Sequence, residues 1–138
     1  MKVVVTNVNE YFLKSETETG NITYFDAPIN SGGKNAAQSP MEVVLGSIAS
    51  CSAVDIISIL KKKRKTIQEF KIEVEAERSE VHPKVFTKIH LKFILKSQDA
   101  LLNDLERSVE LSMDKYCSVS AMIKNSGCEF SRECILIT

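Results

Sequence analysis

From Met41 to Leu60 the chain runs for twenty residues with only Glu42 and Asp55 charged. A segment this apolar must either cross a bilayer or be covered by protein. Gly46, Ser47, Ser50 and Ser52 interrupt it together with the two carboxylates, so a core helix fits better than a membrane span. Its start has a physical mechanism: Ser39 caps, Pro40 supplies the fixed φ of the first helical position, and Glu42 closes a capping box. The helix is expected to end near Lys63, where Lys61-Lys62-Lys63-Arg64-Lys65 complements the negative end of the helix dipole. That reading is preferred to a nuclear-localisation or membrane-surface patch.

The rest of the chain arranges itself around this helix. Val3 to Val8, Tyr11 to Glu16 and Ile22 to Asp26 are β-prone runs broken by Asn7, Asn9 and Gly20-Asn21, which predicts a three-stranded meander. Asn30-Ser31-Gly32-Gly33-Lys34-Asn35 lacks phosphate-loop spacing and reads as a flexible lead-in. After the helix, Phe70, Ile72, Val74 and Ala76 alternate with charged residues, as do Ile89, Leu91, Phe93 and Leu95, giving a hairpin about Ser79–Lys84. A second helix, capped by Ser97 or Asp99, is expected to carry Leu101, Leu105, Val109, Met113 and Tyr116 up to Cys117. Cys128 to Thr138 then forms a last strand. The order βββ, helix, ββ, helix, β predicts a single α+β domain over residues 1–138, with two central helices against antiparallel sheet.

Lys and Arg total 18, as do Asp and Glu, so the net charge is +0. This argues against nucleic acid or an anionic membrane as partner and for a small molecule or another protein. The N-terminus has no signal-peptide pattern, so a cytoplasmic protein is expected. In that reducing setting its four cysteines are thiols, either reactive or simply buried. No Cys-x-x-Cys or His-x-x-x-His spacing joins them, so no zinc site is expected. His82 beside a turn proline and His90 on a lysine-bearing strand face read as solvated.

At about 100° per residue, Ser47, Cys51, Asp55 and Ser58 share one stripe of the first helix. This polar seam lies within apolar surface. It is either a pocket where Cys51 meets substrate or a seam satisfied by a facing helix or subunit. Cys117 is equally open to two readings, a second redox thiol or an inert core residue. Glu42 stands nine residues before Cys51 and near the opposite side of the helix, so capping is its expected work unless another segment or subunit brings a partner to it. Asp55 is able to order water or the thiol, although its charge alone would raise a thiol pKa.

These residues carry a resemblance. Ser39-Pro40-Met41-Glu42 through Gly46 to Cys51-Ser52-Ala53, then Asp114-Lys115-Tyr116-Cys117-Ser118-Val119-Ser120, with the element order between them, resemble the OsmC/Ohr family of osmotically inducible and organic-hydroperoxide-resistance proteins, in its YhfA-like branch. The resemblance implies antiparallel sheets wrapped around two central helices in an intertwined homodimer. It also implies cofactor-free chemistry: the thiol matching Cys51 attacks a hydroperoxide, and the thiol matching Cys117 resolves the sulfenic acid as a disulfide. An external thiol, for some members a lipoylated protein, then reduces that disulfide.

Two departures from the family pattern stand out. Met41 occupies the position after proline where peroxidatic members place a glutamate, with Glu42 one residue on. The first arginine is Arg64, whereas those members use one from the N-terminal strands. Lys14 or Lys34 could supply the charge but not the planar fork. The leading expectation is therefore a dimeric thiol peroxidase or related redox protein using Cys51 and Cys117, with Glu42 and Asp55 in support. The competing readings are a non-enzymatic member that binds a small apolar ligand or a partner, and a thiol redox sensor.

Overall fold

The computed structural model describes all of residues 1–138. The chain forms two compact units, residues 1–45 and 46–138, and the helix α1 (Pro40–Lys62) begins in the first and continues through the second.

In the first unit β1 (Val3–Asn9), β2 (Phe12–Thr17) and β3 (Ile22–Phe25) form the expected antiparallel meander. Glu10 turns the chain between β1 and β2 at φ 50, and Gly20 does so between β2 and β3 at φ 85, a conformation glycine adopts without steric cost. Phe12 and Tyr24 stack across the sheet at 5.3 Å. All of β1 is exposed, and Val3, Val4, Val5 and Val8 show apolar surface on both of its faces.

The glycine-rich loop after β3 is more ordered than a flexible lead-in. Its organiser is the buried Asp26, whose carboxylate accepts the backbone N–H groups of Ala27 at 2.8 Å, Lys34 at 3.2 Å and Ala36 at 3.0 Å. These bonds, that of Ala36 foremost, hold its carboxyl below the usual aspartate range. Gly33 lies so close to the Ala27 carbonyl that any Cβ would overlap it. The capping box then starts α1 as expected, with Glu42 N–H donating to Ser39 Oγ at 3.3 Å and Ser39 N–H to Glu42 Oε1 at 3.0 Å.

In the second unit β4 (Glu69–Arg78) and β5 (Phe86–Lys96) form the expected antiparallel hairpin. The inward residues of β5, Phe86, Ile89, Leu91, Phe93 and Leu95, are buried and make it the centre of the sheet. The last strand, β6 (Glu129–Ile137), pairs with β5 in parallel, so this sheet is mixed rather than wholly antiparallel. The helical segment between β5 and β6 is the crossover that parallel pairing requires.

That segment is not one helix. It divides into α2 (Leu102–Leu111), a π-helical turn (Ser112–Tyr116) and α3 (Ser118–Asn125), so the protein has three helices. Leu105, Val109 and Met113 are buried as expected, but Leu101 and Tyr116 are exposed. Leu101 is still extended at the N-cap position, and the wider π-turn carries Tyr116 off the buried stripe. Neither expected cap, Ser97 or Asp99, occupies the N-cap, because the chain stays extended through Leu101 and Asp99 turns to Thr66. Ser97 Oγ accepts Ala100 N–H at 3.1 Å in the preceding turn, and Asp104, inside α2, accepts Leu101 N–H at 2.9 Å.

The basic run after α1 does more than answer a dipole. Lys65 N–H donates to Leu60 O at 3.0 Å and Arg64 N–H to Lys61 O at 2.9 Å, a Schellman ending with Arg64 at φ 59. Lys63 and Lys65 pair with Asp104, while Asp99 accepts both the N–H and the hydroxyl of Thr66 at 2.8 Å. These contacts fix the end of α1 within its own unit.

Candidate functional site

The stripe of α1 that packs is Ile48, Ser52, Ile56 and Leu60, all 0% exposed. It lies one residue, about 100°, from the polar seam of Ser47, Cys51, Asp55 and Ser58. Cys51 and Asp55 are consequently half-buried at the rim of the packed stripe, and Ser58 is exposed. Ser52, within the stripe, is the buried polar group: its hydroxyl donates to Met113 Sδ at 3.5 Å.

The π-turn delivers the second thiol. Cys117 N–H donates to Ser112 O at 2.7 Å, the five-residue bond that closes the turn, and Cys117 then caps α3. Its side chain is 3% exposed. The Cys117 thiol donates weakly to the Ile48 carbonyl of α1 at 3.9 Å. Its sulfur accepts the Ser120 hydroxyl at 3.0 Å and the Ser120 N–H at 3.4 Å. Burial pushes the Cys117 thiol above its ordinary value, and the adjoining Cys51 thiol pushes the same way, against the Ser120 donors. Thus two helices bring Cys51 and Cys117 together as free thiols.

Two sets of contacts hold the π-turn in place. On the α1 side, Ser112 Oγ donates to Asp55 Oδ2 at 2.9 Å and lies 3.2 Å from Ser52 Oγ. Asp55 is therefore joined to the Cys117 turn by way of Ser112. On the β6 side, Arg132 grips Asp114 through two bonds of 2.9 and 3.0 Å, and Lys124 Nζ donates to Met113 O at 2.7 Å. The Arg132 fork, more than any other contact, holds the Asp114 carboxyl below its usual range.

Glu42 belongs to the other compact unit, where its carboxylate is occupied by the Ser39 cap. The Ser39 backbone N–H lowers its pKa. In that unit Lys34 pairs with Glu10 at 3.8 Å, and Lys14 is half-buried on β2. Cys128 and Cys134 stand apart from the thiol pair: the charges that act on them are Glu129 for Cys128 and Glu106, Arg132 and Glu133 for Cys134, and no other thiol. Burial raises both, as it does Cys117, Cys134 to about 11. His90 is half-exposed, as a solvated residue would be, and its Nδ1 lies 2.7 Å from Ser131 Oγ. No three His, Cys, Asp or Glu side chains converge as metal ligands do.

Sequence reasoning gave no role to Ser52, Ser112 and Ser120, and Met113, expected as a core residue, is also the acceptor of the Ser52 and Ser120 hydroxyls. Ser120 had a signal: Cys117-x-x-Ser120 has the N-cap to N3 spacing of a capping box, with sulfur in place of the capping oxygen.

Comparison with known proteins bears on the family and the fold. The OsmC-like protein family matches residues 32–131. Protein YhfA of Escherichia coli K12 is 40% identical over 111 residues, covering 80% of each chain. A hypothetical protein from Aquifex aeolicus VF5 is 34% identical, with a TM-score of 0.80 over 99% of this chain and 97% of its own. The fold is also that of an organic hydroperoxide resistance protein OsmC from Legionella pneumophila, at a TM-score of 0.65 and 16% identity over 100% of this chain and 98% of that one. The chain belongs to the OsmC-like protein family.

Proposed function

We propose that this protein is a cofactor-free thiol redox protein that reduces organic hydroperoxides or hydrogen peroxide in oxidative stress defence. The observation that carries the reading is the unequal thiol pair: half-buried Cys51 at the rim of α1 beside fully enclosed Cys117. A solute reaches Cys51 first. The Cys51 thiolate attacks the peroxide O–O bond, releasing an alcohol or water and leaving a sulfenic acid. Cys117 sulfur then attacks the Cys51 sulfur, the S–O bond breaks, and water departs with the Cys117 proton. An external dithiol, such as a lipoylated protein, returns both sulfurs to thiols and is itself oxidised to a disulfide.

In this reading Asp55 orients the Cys117 turn through Ser112, and Glu42 secures the start of α1. The active form is a homodimer in the cytoplasm. Exposed Val3, Val4, Val5 and Val8 on β1, and Val54 on α1, support a second copy as their cover.

The test is stopped-flow reaction of the reduced protein with hydrogen peroxide and an organic hydroperoxide, with mass-spectrometric mapping of the product. Rapid consumption ending in a Cys51–Cys117 disulfide, abolished by Cys51→Ser, is the expected result. Consumption unchanged in Cys51→Ser would overturn the assignment. Slow, scattered oxidation would leave a binding protein of this fold, with its thiols as packing residues.

A further inference from the structure

Helices ordinarily place a Ser, Thr, Asp or Asn oxygen at the N-cap. Here α3 places the Cys117 sulfur there, accepting Ser120 N–H at 3.4 Å. The Ser120 hydroxyl is a second donor to the same sulfur at 3.0 Å. Ser120 is 0% exposed, so water does not compete for that hydroxyl. Its other acceptor is Met113 Sδ at 3.7 Å, and a thioether accepts weakly. A charged Cys117 sulfur outcompetes it.

We propose that Ser120 is the positioning residue of the thiol pair: its hydroxyl and N–H hold Cys117 Sγ toward Cys51 and stabilise that sulfur as the thiolate. The inference rests on the redox reading above and adds the group that makes an enclosed thiol usable in it. Burial alone favours the uncharged thiol, which does not attack a sulfenic acid. Two donors aimed at the sulfur oppose that penalty at the moment the S–H proton leaves. The same donors act in the reverse direction. When an external thiol attacks the Cys51 sulfur of the disulfide, the S–S bond breaks and its electron pair goes to Cys117, where the Ser120 hydrogen bonds receive it.

Of the titratable groups around it, Cys51 of α1 acts on Cys117 directly. Asp55 of α1 turns to Ser112, and Asp114 of the π-turn to Arg132 and Lys124. Neither carboxylate bonds to the sulfur.

The decisive measurement is the titration midpoint of Cys117, followed by its 13Cβ chemical shift in reduced protein carrying Cys51→Ser. Ser120→Ala should move the midpoint up by about one pH unit or more, the size expected for a lost hydrogen bond to a charged group. Ser120→Thr, which keeps the hydroxyl, should return it toward the original value. A midpoint unmoved in Ser120→Ala overturns the inference, whatever the protein's substrate. With Cys51 present, Ser120→Ala should slow disulfide closure about tenfold relative to formation of the Cys51 sulfenic acid, so that this sulfenic acid becomes trappable with dimedone. Disulfide closure at the unaltered rate also overturns it. If the unaltered protein forms no sulfenic acid at all, the redox reading fails, and the titration alone decides the role of Ser120.

Discussion

At Cys51 the sulfur sits on the rim of a packed stripe, while at Cys117 it is 3% exposed, a difference made by one residue of helical phase and one π-turn. The residue types are identical, so in the proposed reaction it is position that sets which thiol acts first. Arg64 shows the same dependence of consequence on position. It holds φ 59 at the Schellman ending of α1, a conformation that costs an L-residue roughly 1–2 kcal/mol and glycine nothing. Part of that gain returns as the larger unfolded-state entropy of glycine. Arg64→Gly is therefore expected to stabilise the protein by about 0.5–1 kcal/mol, read as a higher urea midpoint at unchanged m-value. An unchanged or lower midpoint would show that the arginine side chain compensates for its backbone.

The π-turn is the element on which the candidate site depends, because it decides where Cys117 points. Its β6 brace is the Arg132 fork on Asp114, at a side chain half open to solvent, so its contribution to stability should be small, on the order of 0.5 kcal/mol. Its contribution to placement should be larger. Asp114→Ala is expected to leave the melting temperature nearly unchanged and the first oxidation of Cys51 intact, yet to slow closure of the Cys51–Cys117 disulfide several-fold in stopped-flow. Equal closure rates would mean that Ser112 and Lys124 suffice to hold the turn. Much of this architecture was legible in the sequence, since the Ser39-Pro40-Met41-Glu42 cap, the alternation of β4 and β5, and the buried trio Leu105, Val109 and Met113 each have a local cause. The π-turn was not. Leu101 to Tyr116 keeps an unbroken helical spacing, whereas the contacts made to the π-turn come from Asp55, Lys124 and Arg132, all outside that window. The parallel pairing of β6 was hidden for the same reason: a strand's pattern records which face is buried, not which way its neighbour runs.

Across the whole molecule, titration sets a window of stability with two different edges. Asp26, Asp99, Asp104 and Asp114 have folded pKa values below 3.8, and Glu42 below 4.5. The unfolded chain therefore binds more protons in acid, and the stability these groups contribute above their unfolded values is lost as pH falls through the folded ones. At the alkaline edge the folded thiols Cys117, Cys128 and Cys134 are raised above the unfolded value near 9.0, so the unfolded chain ionises first and stability falls again as pH rises past 9.0, for Cys134 toward about 11. Melting temperature against pH should be flat between about 5 and 8.5 and decline on both sides. The alkaline decline should be reduced in Cys134→Ala.

The surface the chain leaves uncovered sets the last expectation. β1 exposes valines on both faces, and Val54, 69% exposed, stands midway along the helix whose composition is apolar enough to span a bilayer. A 15.4 kDa chain buries too small a share of its surface to leave such strips idle without cost to solubility. Sedimentation equilibrium should return twice that mass. Val54→Glu, which places a charge where an apolar contact is proposed, should shift the equilibrium toward the single chain while leaving the circular dichroism of the helices in place. A single-chain mass in the unaltered protein would remove the dimer from the proposal. It would leave Cys51 and Cys117 unaffected, because both belong to the same compact unit of one chain.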